Sequence, residues 1–296
     1  MPPPRPRRPR PTARAAFATR APRRRPVVVM GFGRLGGALA LGLQRAGWPV
    51  SVFTRSGASL RSAVAHGLRI ADQEDLASAA AVFLSVPDDA VASAAALVAA
   101  DLGRHTALVH CAGALPLSVL GAHGERPLGS LHPLSALSAR TDPLEGRAAA
   151  LSATSPALLE LLRAAARDLG LRTFSVPEAG RAAYHAGAVL AAGGLVALAS
   201  AAVEALAEAG VDAPEALDAL LPLMRSALDG VEARGLSAGL TGPIARGDTK
   251  VVQSHLAALP RELLPLYRTL SLRGVDLARA RLPPERTDAL DALLRR

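Results

Sequence analysis

The chain has one cysteine, Cys111, and only 3% aromatic residues. A single cysteine excludes an intramolecular disulfide and any cysteine-based zinc site. The seven histidines show neither HxxxH nor HExxH spacing, so no metal is expected. With 50% of the chain hydrophobic and so few rings, its cores must be built from Ala, Leu and Val. No apolar stretch reads as a signal or a convincing membrane span, because the run from Ala188 to Ala202 is marked by glycines and ends at Glu204. A cytoplasmic chain with no membrane contact is expected.

Acid is missing from the first 26 residues, which carry nine arginines and many prolines. The formal charge of +9 therefore resides in this segment, and the rest of the chain is close to neutral. Without hydrophobic periodicity, residues 1–26 are expected to be disordered. Acid-free, arginine-rich leaders resemble organellar transit peptides. The segment is either an extension without function, such as one added by an upstream start site, or a tail that binds a polyanion. Nucleic-acid binding is not expected elsewhere.

What is present begins with Val27-Val28-Val29-Met30 running into Gly31-Phe32-Gly33-Arg34-Leu35-Gly36, and then into a helical pattern to Ala46. This is a strand, a glycine-rich turn and a helix, the context in which GxGxxG binds a dinucleotide. Gly31 permits the turn, Gly33 lets backbone approach a pyrophosphate, and Gly36 lets the helix pack on the sheet. Phe32, Arg34 and Leu35 share that turn. A second strand, residues 50–53, follows at once. Where an NAD enzyme would carry an acid, the chain reads Thr54-Arg55-Ser56. A guanidinium and two hydroxyls suit a 2′-phosphate, whereas a carboxylate would repel it, so NADP(H) is expected over NAD(H).

Strand and helix patterns go on alternating as far as residue 176, predicting a doubly wound, mostly parallel α/β sheet. From residue 178 only helices are predicted, over 178–209, 213–230, 248–259, 261–279 and 283–296. The expected organisation is a leader (1–26), an NADP-binding Rossmann domain (27–177) and a helical domain for substrate and dimerisation (178–296). The first of these helices is apolar and rich in glycine, so it is expected to pack against a partner, with a homodimer as the simplest case.

This order resembles the superfamily of pyrroline-5-carboxylate reductase, ketopantoate reductase and 6-phosphogluconate-type dehydrogenases. Five strings look closer still: Ser85-Val86-Pro87-Asp88-Asp89, residues 110–115 (HCAGAL), residues 130–134 (SLHPL), Tyr184-His185-Ala186, and residues 241–248 (TGPIARGD). They are similar to signature strings of a bacterial family of Rossmann-like oxidoreductases whose C-terminal part is the domain of unknown function DUF2520. The resemblance implies a nicotinamide-dependent reductase with a helical domain of the 6-phosphogluconate dehydrogenase C-terminal type. It also implies a Lys and an Asn where this chain has Arg181 and Gly193, residues that flank the reacting carbon in related dehydrogenases.

A hydride reductase needs its nicotinamide covered, a cation for the substrate acid, and a donor for the atom that gains charge. Ser85, Val86, Pro87 and His110 lie at predicted strand ends and are expected to line the nicotinamide pocket; His110 is equally compatible with a structural role. His132 and His185 are candidate proton donors, each also readable as structural. Arg181, one helical turn before His185, and Arg246 are candidate anchors for a small keto or imino acid. Thr241 and Asp248 flank Arg246, and Asp248 is expected to cap the next helix. Arginine cannot readily release a proton, so Arg181 leaves two functions open. One is an NADP-dependent reductase, with ketopantoate the sharpest substrate guess; the other is an NADP(H)-binding sensor or scaffold with weak catalysis.

Overall fold

The computed structural model describes residues 24–121 and 124–296. The leader expectation for residues 1–23, and His123, lie outside the described residues. Residues 24–26, also assigned above to the leader, belong to the fold: Arg24 pairs with Asp168 at 3.1 Å, and the Pro26 carbonyl accepts from the Ala80 amide at 2.8 Å. Asp168 also accepts from the Trp48 indole at 2.9 Å.

Two compact units are present, one ending at His185 and the other comprising Ala186–Arg296. In the first, the strands are β1 (Val27–Met30), β2 (Val50–Phe53), β3 (Arg69–Ile70), β4 (Ala81–Leu84), β5 (Ala107–His110), β6 (Leu128–Leu134), β7 (Ala148–Ala153) and β8 (Arg172–Ser175). The helices are α1 (Arg34–Arg45), α2 (Gly57–Ala65), α3 (Gln73–Ser78), α4 (Val91–Val98) and α5 (Pro156–Asp168). The sheet order is β3-β2-β1-β4-β5-β6-β7-β8, parallel throughout except for the β6–β7 pair. Its first six strands follow the Rossmann order, which puts ligands beyond the carboxyl ends of β1 and β4.

The continuous apolar strands divide by parity. Val27, Val29, Ala81 and Phe83 face one layer with Leu39, Leu43 and Leu162, while Val28, Met30, Val82 and Leu84 face the other with Val91 and Val98. Both faces are covered, so no polar alternation is needed along the strands. Helix starts are capped locally: Asp72 and Asp75 form a reciprocal capping box on α3, and Ser155 accepts from the Leu158 amide at α5.

Two strands were not expected from the sequence. β3 has two residues, and β6 contains Gly129 and Pro133, both unfavourable in strands. Proline is tolerated because β5 pairs only with Leu128–Ser130, leaving the other edge of β6 free at Pro133.

The helix α6 (Arg181–Ala191) begins in the first unit. The second unit continues with α7 (Gly193–Ala207), α8 (Ala213–Gly239), α9 (Gly242–Arg246), α10 (Thr249–Ala258), α11 (Leu264–Ala278) and α12 (Pro284–Arg295). Gly235, at φ 76° and ψ 175°, is non-helical and divides α8 into two helices across a kink. Ile244, Val252, Val275, Leu290 and Leu294 form this unit's core. The helical stretch Glu178–Ala207 is 30 residues long and contains an 18-residue window of mean hydropathy 2.0, by length and composition enough to cross a membrane, and that window is unburied.

Candidate active site

The three glycines of the turn after β1 are used differently. Gly31 has φ 98°, and a Cβ there would lie 2.4 Å from the Ser85 carbonyl. A Cβ on Gly36 would lie 2.1 Å from the Gly31 carbonyl, so the helix can approach the turn only without a side chain. At Gly33 nothing lies within 4 Å. Gly33 is also the N-cap of α1, with no side-chain cap and no acid in the first turn, leaving this helix end available to an anion.

Two cavities flank this turn. One, of about 310 Å³, is lined by Gly31, Val86 and the whole Thr54-Arg55-Ser56 segment. Arg55 is exposed there, and Ser56 also caps α2. The other, of about 490 Å³, extends from Gly33, Arg34 and Leu35 past Ser85 and Val86 to Gly113, His132 and His185. Phe32 does not line either one: it is buried in the core, with Arg140 stacked over its ring at 5.3 Å. Pro87 is absent from both walls and precedes the short turn Asp88–Ala90. Cys111 lines the larger cavity as a protonated thiol, because burial pushes it up to about 12.

Behind that cavity the sheet turns polar. Leu84, His110, Ser130 and Ser152 are successive partners across β4, β5, β6 and β7. Arg181 is buried against this row. Its Nη2 donates to the hydroxyls of Ser130 and, at 2.9 Å, Ser152, and its Nε donates to Glu178 at 2.9 Å. Burial works to raise Glu178, but hydrogen bonds from the Leu117 amide and from Arg181 hold it below the usual carboxylate range. Arg181 is thus held within the fold through Nη2 and Nε, while its buried Nη1 has no hydrogen-bond partner. His110 is wholly buried and lines neither cavity. Burial first, then Arg181, lowers it to about 4.

The two remaining histidines do meet at the cavity. A Cβ on Gly113 would lie 2.6 Å from Nδ1 of His185 and 3.0 Å from Nε2 of His132. The two rings are edge to face, with centroids 6.0 Å apart. Nδ1 of His132 is 2.6 Å from the Tyr184 hydroxyl. Burial, then His185, then Arg181, lower His132 to about 4, so it is a neutral imidazole at pH 7. Tyr184 belongs to one of the signature strings but was given no role from the sequence, although Arg181, Tyr184 and His185 fall at helical spacing i, i+3, i+4 on α6. Among the described residues, no cluster of three or more His, Cys, Asp or Glu could hold a metal.

Thr241, Arg246 and Asp248 belong to the second unit. Arg246 is exposed at the end of α9 and Asp248 caps α10 by accepting from the Val251 amide. Thr241 lines an apolar cavity of about 720 Å³ with Leu198, Leu240, Ile244 and Leu270.

Residues 26–113 match the family described as NADP oxidoreductase, coenzyme F420-dependent, and residues 148–273 match DUF2520. The chain carries a DUF2520 region behind a Rossmann-type nucleotide domain. The DUF2520 region starts inside the sheet, at β7, and includes Ser152, Glu178, Arg181, Tyr184 and His185. Among solved structures, the protein TM1727 of Thermotoga maritima is 25% identical with a TM-score of 0.67, over 86% of this chain and 98% of its own. BF3122 of Bacteroides fragilis, described as an NADP oxidoreductase, is 24% identical at 0.66 with the same coverage. A pyrroline carboxylate reductase of Plasmodium falciparum with NADP bound shares the fold, at 13% identity and 0.57, over 91% of this chain and 98% of its own. Among curated proteins none matches the chain.

Proposed function

We propose that the chain is an NADP-dependent reductase acting on a small keto or imino acid, with ketopantoate as the named candidate. The supporting observation is the open space at Gly33, where an uncapped helix end meets the cavity with the paired histidines, while Gly31 of the same turn lines the cavity carrying Arg55. Gly33 and the start of α1 would hold the pyrophosphate; Thr54, Arg55 and Ser56 would hold the phosphorylated ribose. Bound NADPH supplies the hydride. His132 or His185 supplies the hydrogen bond or proton to the substrate oxygen or nitrogen that gains charge.

The test is fluorescence titration with NADPH and NADH, then turnover on 2-keto acids and cyclic imino acids followed at the reduced-nicotinamide absorbance. NADPH is expected to bind more tightly, and Arg55→Ala to weaken NADPH by about tenfold or more while sparing NADH. No binding of either nucleotide would overturn the reading. A second reading, an NADP(H) sensor, is favoured by the sequestered Arg181 and by Gly193, which offers no side chain. Tight binding without turnover on any acid selects it.

We further propose that the helical unit pairs with a second copy. Leu190 and Val196 are 73% and 71% exposed on an apolar helical stretch, and the same unit carries the apolar cavity. A self-complementary face and groove suit a two-fold contact, and exposed Glu204 on the same stretch disfavours lipid. A dimer by sedimentation that dissociates in Val196→Glu is expected; a monodisperse wild-type monomer would overturn it.

A further inference from the structure

The contact between Tyr184 and His132 is short and specific. At 2.6 Å it suits an O–H donor, since N–H donors centre near 2.9–3.0 Å. Burial pushes the Tyr184 phenol up to about 12, so it keeps its proton at pH 7. A phenol is also the stronger acid of the two partners, which favours O–H···N over N–H···O. With Nδ1 accepting, a neutral imidazole must carry its hydrogen on Nε2. That nitrogen is the one facing Gly113 on the cavity side.

We propose that Tyr184 is a positioning residue that fixes His132 as the Nε2–H tautomer, making the cavity wall over Gly113 a neutral hydrogen-bond donor aimed at an uncharged acceptor. The proposal rests on the reductase reading for its substrate but not for its structural content. A neutral N–H donor recognises a lone pair, so a ketone oxygen is accepted, whereas an iminium N–H⁺, which has no lone pair, is refused. Within the class of small acids, the site therefore selects 2-keto acids over protonated cyclic imines. In the reduction, hydride goes to the carbonyl carbon while Nε2–H bonds the oxygen. The proton that completes the alcohol comes from solvent water, while His132 stays neutral and holds the oxygen through Nε2–H; the reductant is NADPH. His185 Nδ1 is buried beside it with no partner of its own, leaving a second polar atom for the same substrate group.

The first test compares the wild type with Tyr184→Phe and does not depend on turnover. In protein with 15N-labelled histidine, long-range 1H–15N correlation at pH 7 is expected to show His132 as Nε2–H in the wild type. In Tyr184→Phe the pattern shifts toward Nδ1–H. The phenyl ring is retained, together with its contact to Phe174 at 5.9 Å, so the fold is expected to persist. An Nδ1–H pattern in the wild type, or an unchanged Nε2–H pattern in the variant, overturns the assignment. If Tyr184→Phe fails to fold, the wild-type spectrum alone decides. On a 2-keto acid, Tyr184→Phe should lower turnover by about tenfold or more with NADPH affinity unchanged, and His132→Gln, which keeps an N–H donor, should retain more activity than His132→Leu. Equal rates for Tyr184→Phe and wild type overturn the proposed role. Absence of nucleotide binding with a normal tautomer pattern would instead defeat the reductase reading and leave the tautomer assignment standing.

Discussion

A methyl group on Gly113 would fall 2.6 Å from Nδ1 of His185, so the gap between the two imidazoles exists only because residue 113 has no side chain. Gly113→Ala should displace both rings. Overpacking of this kind costs about 1–3 kcal/mol, which thermal or urea unfolding would register. Turnover should fall further than that loss explains, because neither ring then keeps its position. Unchanged activity in a folded Gly113→Ala protein would remove the paired histidines from the chemistry.

The contrast between Gly33 and Gly36 separates ligand binding from folding. Gly36→Ala sets a Cβ against a backbone carbonyl that cannot yield, so a loss of about 2 kcal/mol or more is expected. Gly33→Ala meets open space at φ −76°, a conformation any residue adopts, so stability should change by less than about 0.5 kcal/mol. Its effect should instead be on NADPH, weakened by about tenfold or more where the methyl intrudes on the phosphates. A Gly33→Ala protein that binds NADPH normally would make the turn purely structural.

His110 should report its burial through acid stability. Its folded value near 4 lies below the ordinary 6.5, so between these the unfolded chain binds a proton that the folded chain refuses. The contribution is present above pH 6.5 and is lost as pH falls toward 4. The shift corresponds to about 3 kcal/mol. His110→Leu should therefore shrink the difference in unfolding free energy between pH 7.5 and pH 4.5 by about 2–3 kcal/mol, leaving the part due to His132. An unchanged difference would mean that His110 is not held neutral.

The nucleotide-binding half was legible because its signals are local. Val27–Met30, the glycine turn and α1 are contiguous, and Gly31 and Gly36 act on atoms of their own turn or of the adjacent strand end. The β6 strand was not legible: Gly129, Ser130, His132 and Pro133 have weak strand preference, and pairing with β7 imposes the extended backbone. Arg181 illustrates the limit at single-residue level. Its charge and its spacing from His185 were visible, but the two serines and the Glu178 carboxylate that occupy it come from β6, β7 and the turn before α6.

Composition and periodicity thus determined that this chain builds a parallel nucleotide-binding sheet followed by helices, because the glycine turn and the alternating apolar runs act over a few residues. Only the tertiary structure decided which polar groups face the cavity. His132 and His185 meet over Gly113, while His110 and Arg181 are withdrawn behind it, because strand register and the path of α6 set distances that no spacing along the chain records.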